Sequence, residues 1–119
     1  ILLVDDEELL VAAMEQYLRV LGYDAVSVTD SSEALDMVAK NPRRFHLLVT
    51  DMTMPQMTGL NLSREVLSIN PEVPIILCTG FNESITEDEA KKSGIREFVL
   101  KPIPLQQLAH LVRRVLDGI

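Results

Sequence analysis

The chain has 119 residues, a mass of 13.3 kDa, a formal net charge of −7 and a mean hydropathy of +0.16, which predict one domain with a single core over residues 1–119. Its 11 basic residues are scattered, with adjacent pairs only at Arg43-Arg44, Lys91-Lys92 and Arg113-Arg114, so a nucleic-acid-binding surface is excluded on charge. No apolar run could span a bilayer, no charged-then-apolar leader opens the chain, and the single cysteine, Cys78, rules out an internal disulfide framework; these features predict a cytoplasmic location without membrane contact.

Strand-like and helix-like periods alternate from the first residue. ILLV reads as a strand ending in Asp5-Asp6. Apolar residues at 10, 13, 14, 17, 18 and 21 predict a helix from about Glu7 to Leu21, closed by Gly22. DAVSVT (24–29) reads as a short strand, and Ser31 or Ser32 can cap a second helix that runs to Lys40 and stops at Asn41-Pro42. HLLVT forms a third strand ending in Asp51. Leu62, Val66 and Ile69 mark a third helix from near Gly59 to Asn70-Pro71.

PIILC is a fourth strand ending in Thr79, and EFVL a fifth ending in Lys101. Between them a short helix near 83–93 offers only Ile85 and Ala90 to a core, so it is held weakly and can shift at little cost. A last helix runs from Pro104, with apolar residues at 105, 108, 109, 112, 115 and 116. Continuous apolar strands between helices are buried on both faces, which predicts a parallel sheet in a doubly wound α/β domain with five strands and five helices.

In such a sheet, ligands bind at the carboxyl ends of the strands. Asp5, Asp6 and Asp51 there make an oxygen-only acidic site that suits Mg²⁺, with Mn²⁺ able to substitute. Lys101 can pair with a carboxylate or a phosphoryl oxygen, and Thr79 can donate a hydroxyl hydrogen bond to the same group. A carboxylate can act as a nucleophile and form an acyl phosphate, with positioning and charge stabilisation supplying most of the catalysis.

The segments ILLVDDE, LLVTDMTMPQMTG, ILCTG and FVLKP, in this order, resemble the response-regulator receiver domain of two-component signalling over essentially the whole chain. The resemblance implies a flavodoxin-like strand order 2-1-3-4-5. It also implies that Asp51 is the phosphoacceptor, charged from a phosphohistidine on a histidine kinase or phosphotransfer domain. Asp6, Asp51 and the backbone carbonyl of Thr53 would ligate Mg²⁺, Asp5 acting through water. Lys101 would bind the phosphoryl group. Thr79 and Phe98 would be the switch pair that alters the surface of the fourth helix, fifth strand and fifth helix, and the Lys101–Pro102 bond would be cis.

Thr53 and Phe81 flank the phosphoryl site in that reading, Phe81 hindering the attacking water. The wording TDMTMPQMTG with ILCTGF further resembles receivers at the C-terminal end of hybrid sensor histidine kinases. A start inside a strand and only DGI after the last helix fit a domain cut from such a chain, without an output domain.

Each residue also has a plainer reading: Asp51 as a turn residue, the run Asp5 to Glu8 as charge at a helix start, Lys101 as a solvated charge, Phe98 as core. Their joint order overturns these. Two other functions fit these residues less well. A haloacid-dehalogenase-type phosphatase places its aspartates two apart after the first strand, whereas here they are adjacent. A receiver-like interaction module without phosphotransfer would have lost one of these groups. His46 and His110 lack metal-ligand spacing, Cys78 reads as core, and Met52, Met54 and Met57 read as packing around the acceptor loop. Arg113-Arg114 reads as a solvated face, or as a contact to a second copy in a homodimer through the switch face.

Overall fold

The computed structural model describes residues 1–80 and 85–118. In chain order the elements are β1 (Leu2–Val4), α1 (Glu8–Val20), β2 (Val26–Val28), α2 (Ser31–Lys40), β3 (Leu48–Asp51), α3 (Gly59–Ile69), β4 (Ile75–Thr79), α4 (Glu87–Lys92), β5 (Glu97–Leu100) and α5 (Leu105–Leu116). The strands form one sheet in the order β2-β1-β3-β4-β5, every neighbouring pair parallel. This is the doubly wound order implied by the resemblance.

Alternation along the strands sorts their apolar side chains into two layers. Leu2, Val4, Leu48, Ile75 and Leu77 face a core closed by Ala34, Val38, Leu62, Val66, Ile85 and Ala90, from α2, α3 and the α4 region. Leu3, Val49, Ile76 and Cys78 face the opposite side, where Val11, Met14 and Leu18 of α1 meet Leu108, Val112 and Val115 of α5. β1, β3 and β4 are buried along their whole length, as their unbroken apolar runs require, whereas the edge strand β5 is only half-buried.

Three expectations need correction. The buried seam of α1 is Val11, Met14 and Leu18, while Ala13 is exposed and Leu21, the C-cap, is 51% exposed. The helix is turned so that the i, i+3, i+7 set meets the sheet, and Leu21 lies beyond the last helical turn. The cap of α2 is Asp30, whose carboxylate accepts from Ser32 N at 2.8 Å, rather than Ser31 or Ser32. Ser31 instead opens the helix fully buried, its hydroxyl without a hydrogen-bond partner. Finally, α4 spans only Glu87–Lys92, capped by Thr86; residues 83 and 84 of the expected helix lie outside the described residues. Ile85 and Ala90 are its buried anchors, as expected.

One glycine fixes how the third crossover leaves the sheet. Gly59 N donates to Met52 O at 2.8 Å, and Ser63 Oγ donates to Gly59 O at 2.7 Å. A Cβ at this position would run into the backbone carbonyl of Asp51 and meet Leu77 Cδ1 at 2.8 Å. The start of α3 is thereby pressed against the end of β3, and the Asp51–Met52 backbone is held from both sides. Gly59→Ala should destabilise the fold by about 2 kcal/mol or more, because the obstructing atoms are backbone. A urea midpoint equal to that of the wild type would contradict this contact.

Candidate functional site

The parallel register delivers the polar residues to one edge. Asp51 and Thr79 are the last residues of β3 and β4; Asp5 follows β1 and Lys101 follows β5. Backbone bonds extend the ladder past the strand ends: Met52 N donates to Cys78 O at 2.9 Å and Lys101 N to Thr79 O at 2.7 Å. The side chains therefore start from a backbone frame with little slack.

Lys101 Nζ lies 3.0 Å from Asp5 Oδ2 and 3.0 Å from Asp51 Oδ1. Asp5 and Asp51 are buried, and Asp5 Oδ1 also accepts from Glu7 N at 2.9 Å, which ties it to the entry of α1. Asp6 is exposed, yet one of its carboxylate oxygens falls with those of Asp5 and Asp51 in a group whose members all lie within 4.8 Å of one another. At that separation two like charges repel by about 3 kcal/mol at an effective dielectric of about 20. Three carboxylates against one ammonium leave the cluster at −2. A hard divalent cation balances that charge and suits an all-oxygen donor set, so the residues fit Mg²⁺.

The ionisation of these groups follows from their surroundings. Burial pushes the Asp51 carboxyl up, the hydrogen bond from Lys101 draws it down, and the charge of Asp5 raises it again, with a net upward shift. Burial opposes the Lys101 charge, but its hydrogen bonds to Asp5 and Asp51 outweigh burial and hold the ammonium above its ordinary range. Lys101 is thus charged throughout the physiological range. Burial pushes the Cys78 thiol up to about 12, which leaves it a protonated core group.

The remaining expected residues are distributed as follows. Thr79 is 1% exposed, and among the described residues its hydroxyl makes a long 3.4 Å contact to Gly80 O. Phe98 is half-buried, pairs in register with Leu77, and packs against the core layer that contains α4's anchors. Thr53 is exposed, two residues beyond Asp51. The Lys101–Pro102 bond is cis. Phe81 lies outside the described residues.

Met52 and Met54 are buried and Met57 half-buried beside them, while His46 and His110 are exposed. Arg113 pairs with Asp117 at 3.0 Å and lies over the Tyr23 ring, and Arg114 pairs with Glu97 at 2.8 Å. Both remain exposed on the outer face of α5, as the solvated reading expects, with these acidic partners supplied within the chain. Sequence reasoning also missed two groups that hold Asp51. Gly59 admits the start of α3, and the Thr50 hydroxyl donates to Asp51 O at 3.0 Å. A glycine opening a helix just after the acidic loop was the available signal.

Comparisons with known proteins agree with this geometry. The family model described as "Response regulator receiver domain" matches residues 1–113. The C4-dicarboxylate transport transcriptional regulatory protein DctD of Rhizobium meliloti is 32% identical over 114 residues, covering 96% of this chain and 24% of that protein. The transcriptional regulatory protein RprY of Bacteroides fragilis is 32% identical over 118 residues, 98% of this chain and 48% of that protein. The chain thus spans about a quarter to a half of these curated relatives. A crystal structure of a response regulator receiver domain protein from Clostridium thermocellum superposes with a TM-score of 0.91 at 26% identity, covering 98% of this chain and 93% of that one.

The raised Asp51 carboxyl has a consequence for stability. The folded chain binds this proton more tightly than the unfolded chain, so the stabilising contribution is complete below the ordinary value of 3.8 and is lost as pH rises through the folded value. At pH 7 without divalent cations, Asp51→Asn removes the cost of burying this charge and its repulsion by Asp5, and should raise Tm by roughly 4 °C, for about 1 kcal/mol. The gap should close as pH falls toward 4. Thermal melts in chelator showing no gain at pH 7 would contradict a buried Asp51 charge left short of compensation.

Proposed function

The chain belongs to the response regulator receiver domain family, and from that membership we propose that residues 1–119 act as one phosphoacceptor domain in a phosphorelay, charged on Asp51 from a phosphohistidine of a histidine kinase or phosphotransfer domain. The observation that carries this reading is the Lys101 ammonium held 3.0 Å from both Asp5 and Asp51 beside a third carboxylate. A structural lysine needs one such partner. Two buried carboxylates on one ammonium leave an acidic edge suited to a cation and a phosphoryl group.

In the transfer, an Asp51 carboxylate oxygen forms the new O–P bond while the N–P bond of the donor breaks. The electron pair leaves with the imidazole, which gains its proton from solvent. Lys101, anchored by Asp5, exchanges its contact with Asp51 for one with a phosphoryl oxygen. Asp6, Asp51 and the Thr53 carbonyl would hold Mg²⁺, with Asp5 acting through water. When bound, the ion supplies positive charge against the phosphoryl oxygens.

The Thr79 hydroxyl, spent on a 3.4 Å contact, is free to turn toward the phosphoryl group. Its displacement opens room for the Phe98 ring, which sits over the layer that includes α4. The surface of α4, β5 and α5 would change accordingly, and a homodimer through that face is the association this reading would allow. The relatives named above are transcriptional regulators, so they lend no support to a hybrid sensor kinase as the parent chain.

Intact mass after incubation with acetyl phosphate should show a Mg²⁺-dependent gain of one phosphoryl group, labile to hydroxylamine and absent from Asp51→Asn. Lys101→Met should slow the gain by about 100-fold, the usual effect of removing a charge stabiliser. Absence of an adduct with both a small donor and a phosphohistidine donor would overturn the proposal. Phe81→Ala should shorten the half-life of the phosphorylated state by several-fold; an unchanged half-life would remove the shielding role given to Phe81.

A further inference from the structure

Protein interiors are close-packed, with few voids larger than a water molecule. The core layer on the α1 and α5 side departs from this at its upper end. A cavity of about 410 Å³ opens there between α1 and the segment joining β5 to α5. Its floor is Val49 and Cys78, and its walls are Leu10, Met14 and Ile103. Leu10 and Ile103 are half-buried, each with one side on this space. Met14 adds an adaptable wall able to follow the shape of an occupant. The volume falls in the range of small-ligand pockets.

The charged groups of this cavity gather at its mouth, and the one buried hydroxyl in its lining, that of Thr50, is already donated to Asp51 O at 3.0 Å. Asp5, Glu7 and Asp51 stand there against the single Lys101 ammonium, a net charge of −2 above an apolar floor. An anion would be repelled, and a purely apolar guest would leave the carboxylates without a counter-charge. The chemistry that matches both ends is a primary ammonium on a short aryl or alkyl chain.

We propose that this cavity binds an amphipathic organic cation, its apolar tail among Leu10, Met14, Val49, Cys78 and Ile103 and its ammonium head on the carboxylates of Asp5 and Asp51. The head would occupy the charge-balancing position of a divalent cation, so binding would compete with the cation and restrain charging of Asp51. That regulatory consequence rests on the phosphoacceptor reading, whereas the binding itself does not.

The test is a titration of the 119-residue chain with 4-phenylbutylamine in chelator, followed by backbone amide shifts. Saturable shifts clustered around Leu10, Met14 and Ile103 are expected, with a Kd of about 1 mM or tighter. 4-Phenylbutanol, which keeps the tail, and ethylamine, which keeps the head, should each bind at least about tenfold more weakly. Ile103→Trp fills the cavity from a half-buried loop position and should abolish the shifts; Leu10→Trp does so from α1, should the first variant misfold. Mg²⁺ should raise the apparent Kd for the amine in the wild type.

Equal binding of 4-phenylbutanol, indifference to both tryptophan variants, indifference to Mg²⁺, or no saturation below about 10 mM would each overturn the proposal. Because the titration contains no phosphoryl donor and the mass measurement no amine, either reading can fail without the other.

Discussion

The bridge from Lys101 to Asp5 and Asp51 is the interaction on which the upper edge of this molecule depends. It joins the ends of β1, β3 and β5, three strands whose carboxyl termini would otherwise carry mutually repelling or unpaired charges. Burial makes the bridge strong in both directions. It favours the ammonium between two carboxylates, and it makes the second buried negative charge costly. The same geometry therefore holds the edge together and leaves it short of positive charge. An arrangement with one carboxylate per lysine would be more comfortable and chemically idle.

That bridge can form only because the backbone beneath it is fixed. The parallel register sets the heights of Asp5, Asp51, Thr79 and Lys101, and Gly59 lets α3 press against the backbone that follows β3. A side chain at Gly59 would push on the Asp51 carbonyl. Fold and site thus meet at a position that bears no functional group. The apolar cavity on the other face is the converse case, where the core stops short of filling the space below the charges.

Much of this was legible in the order of residues. Unbroken runs such as IILC can be satisfied only by burial on both faces, and an acidic or hydroxyl residue at the end of each run then has one place to go. Features set by contacts distant in sequence were not legible. The turn of α1 that buries Val11, Met14 and Leu18 rather than Ala13 is set by the sheet and α5 against which it packs. The capture of Arg114 by Glu97 depends on how the last helix lies across the edge strand. Asp30 and Ser31 both suit the start of α2, and only the depth of the Ser31 side chain shows which one caps. That one lysine reaches two carboxylates could be guessed from the motifs, but not measured.

The sheet divides the interior into two layers, and that division has a mechanical meaning. Ile85, Ala90 and Phe98 belong to the layer with α2 and α3, while α1 and α5 anchor the other. Repacking around α4 would act on the first layer directly and reach α1 and α5 only through the sheet whose strand ends carry Asp5 and Lys101. A domain built this way holds two cores that share only their sheet, so a change in the packing of one is felt by the other through the strands, with the sheet as the diaphragm between them.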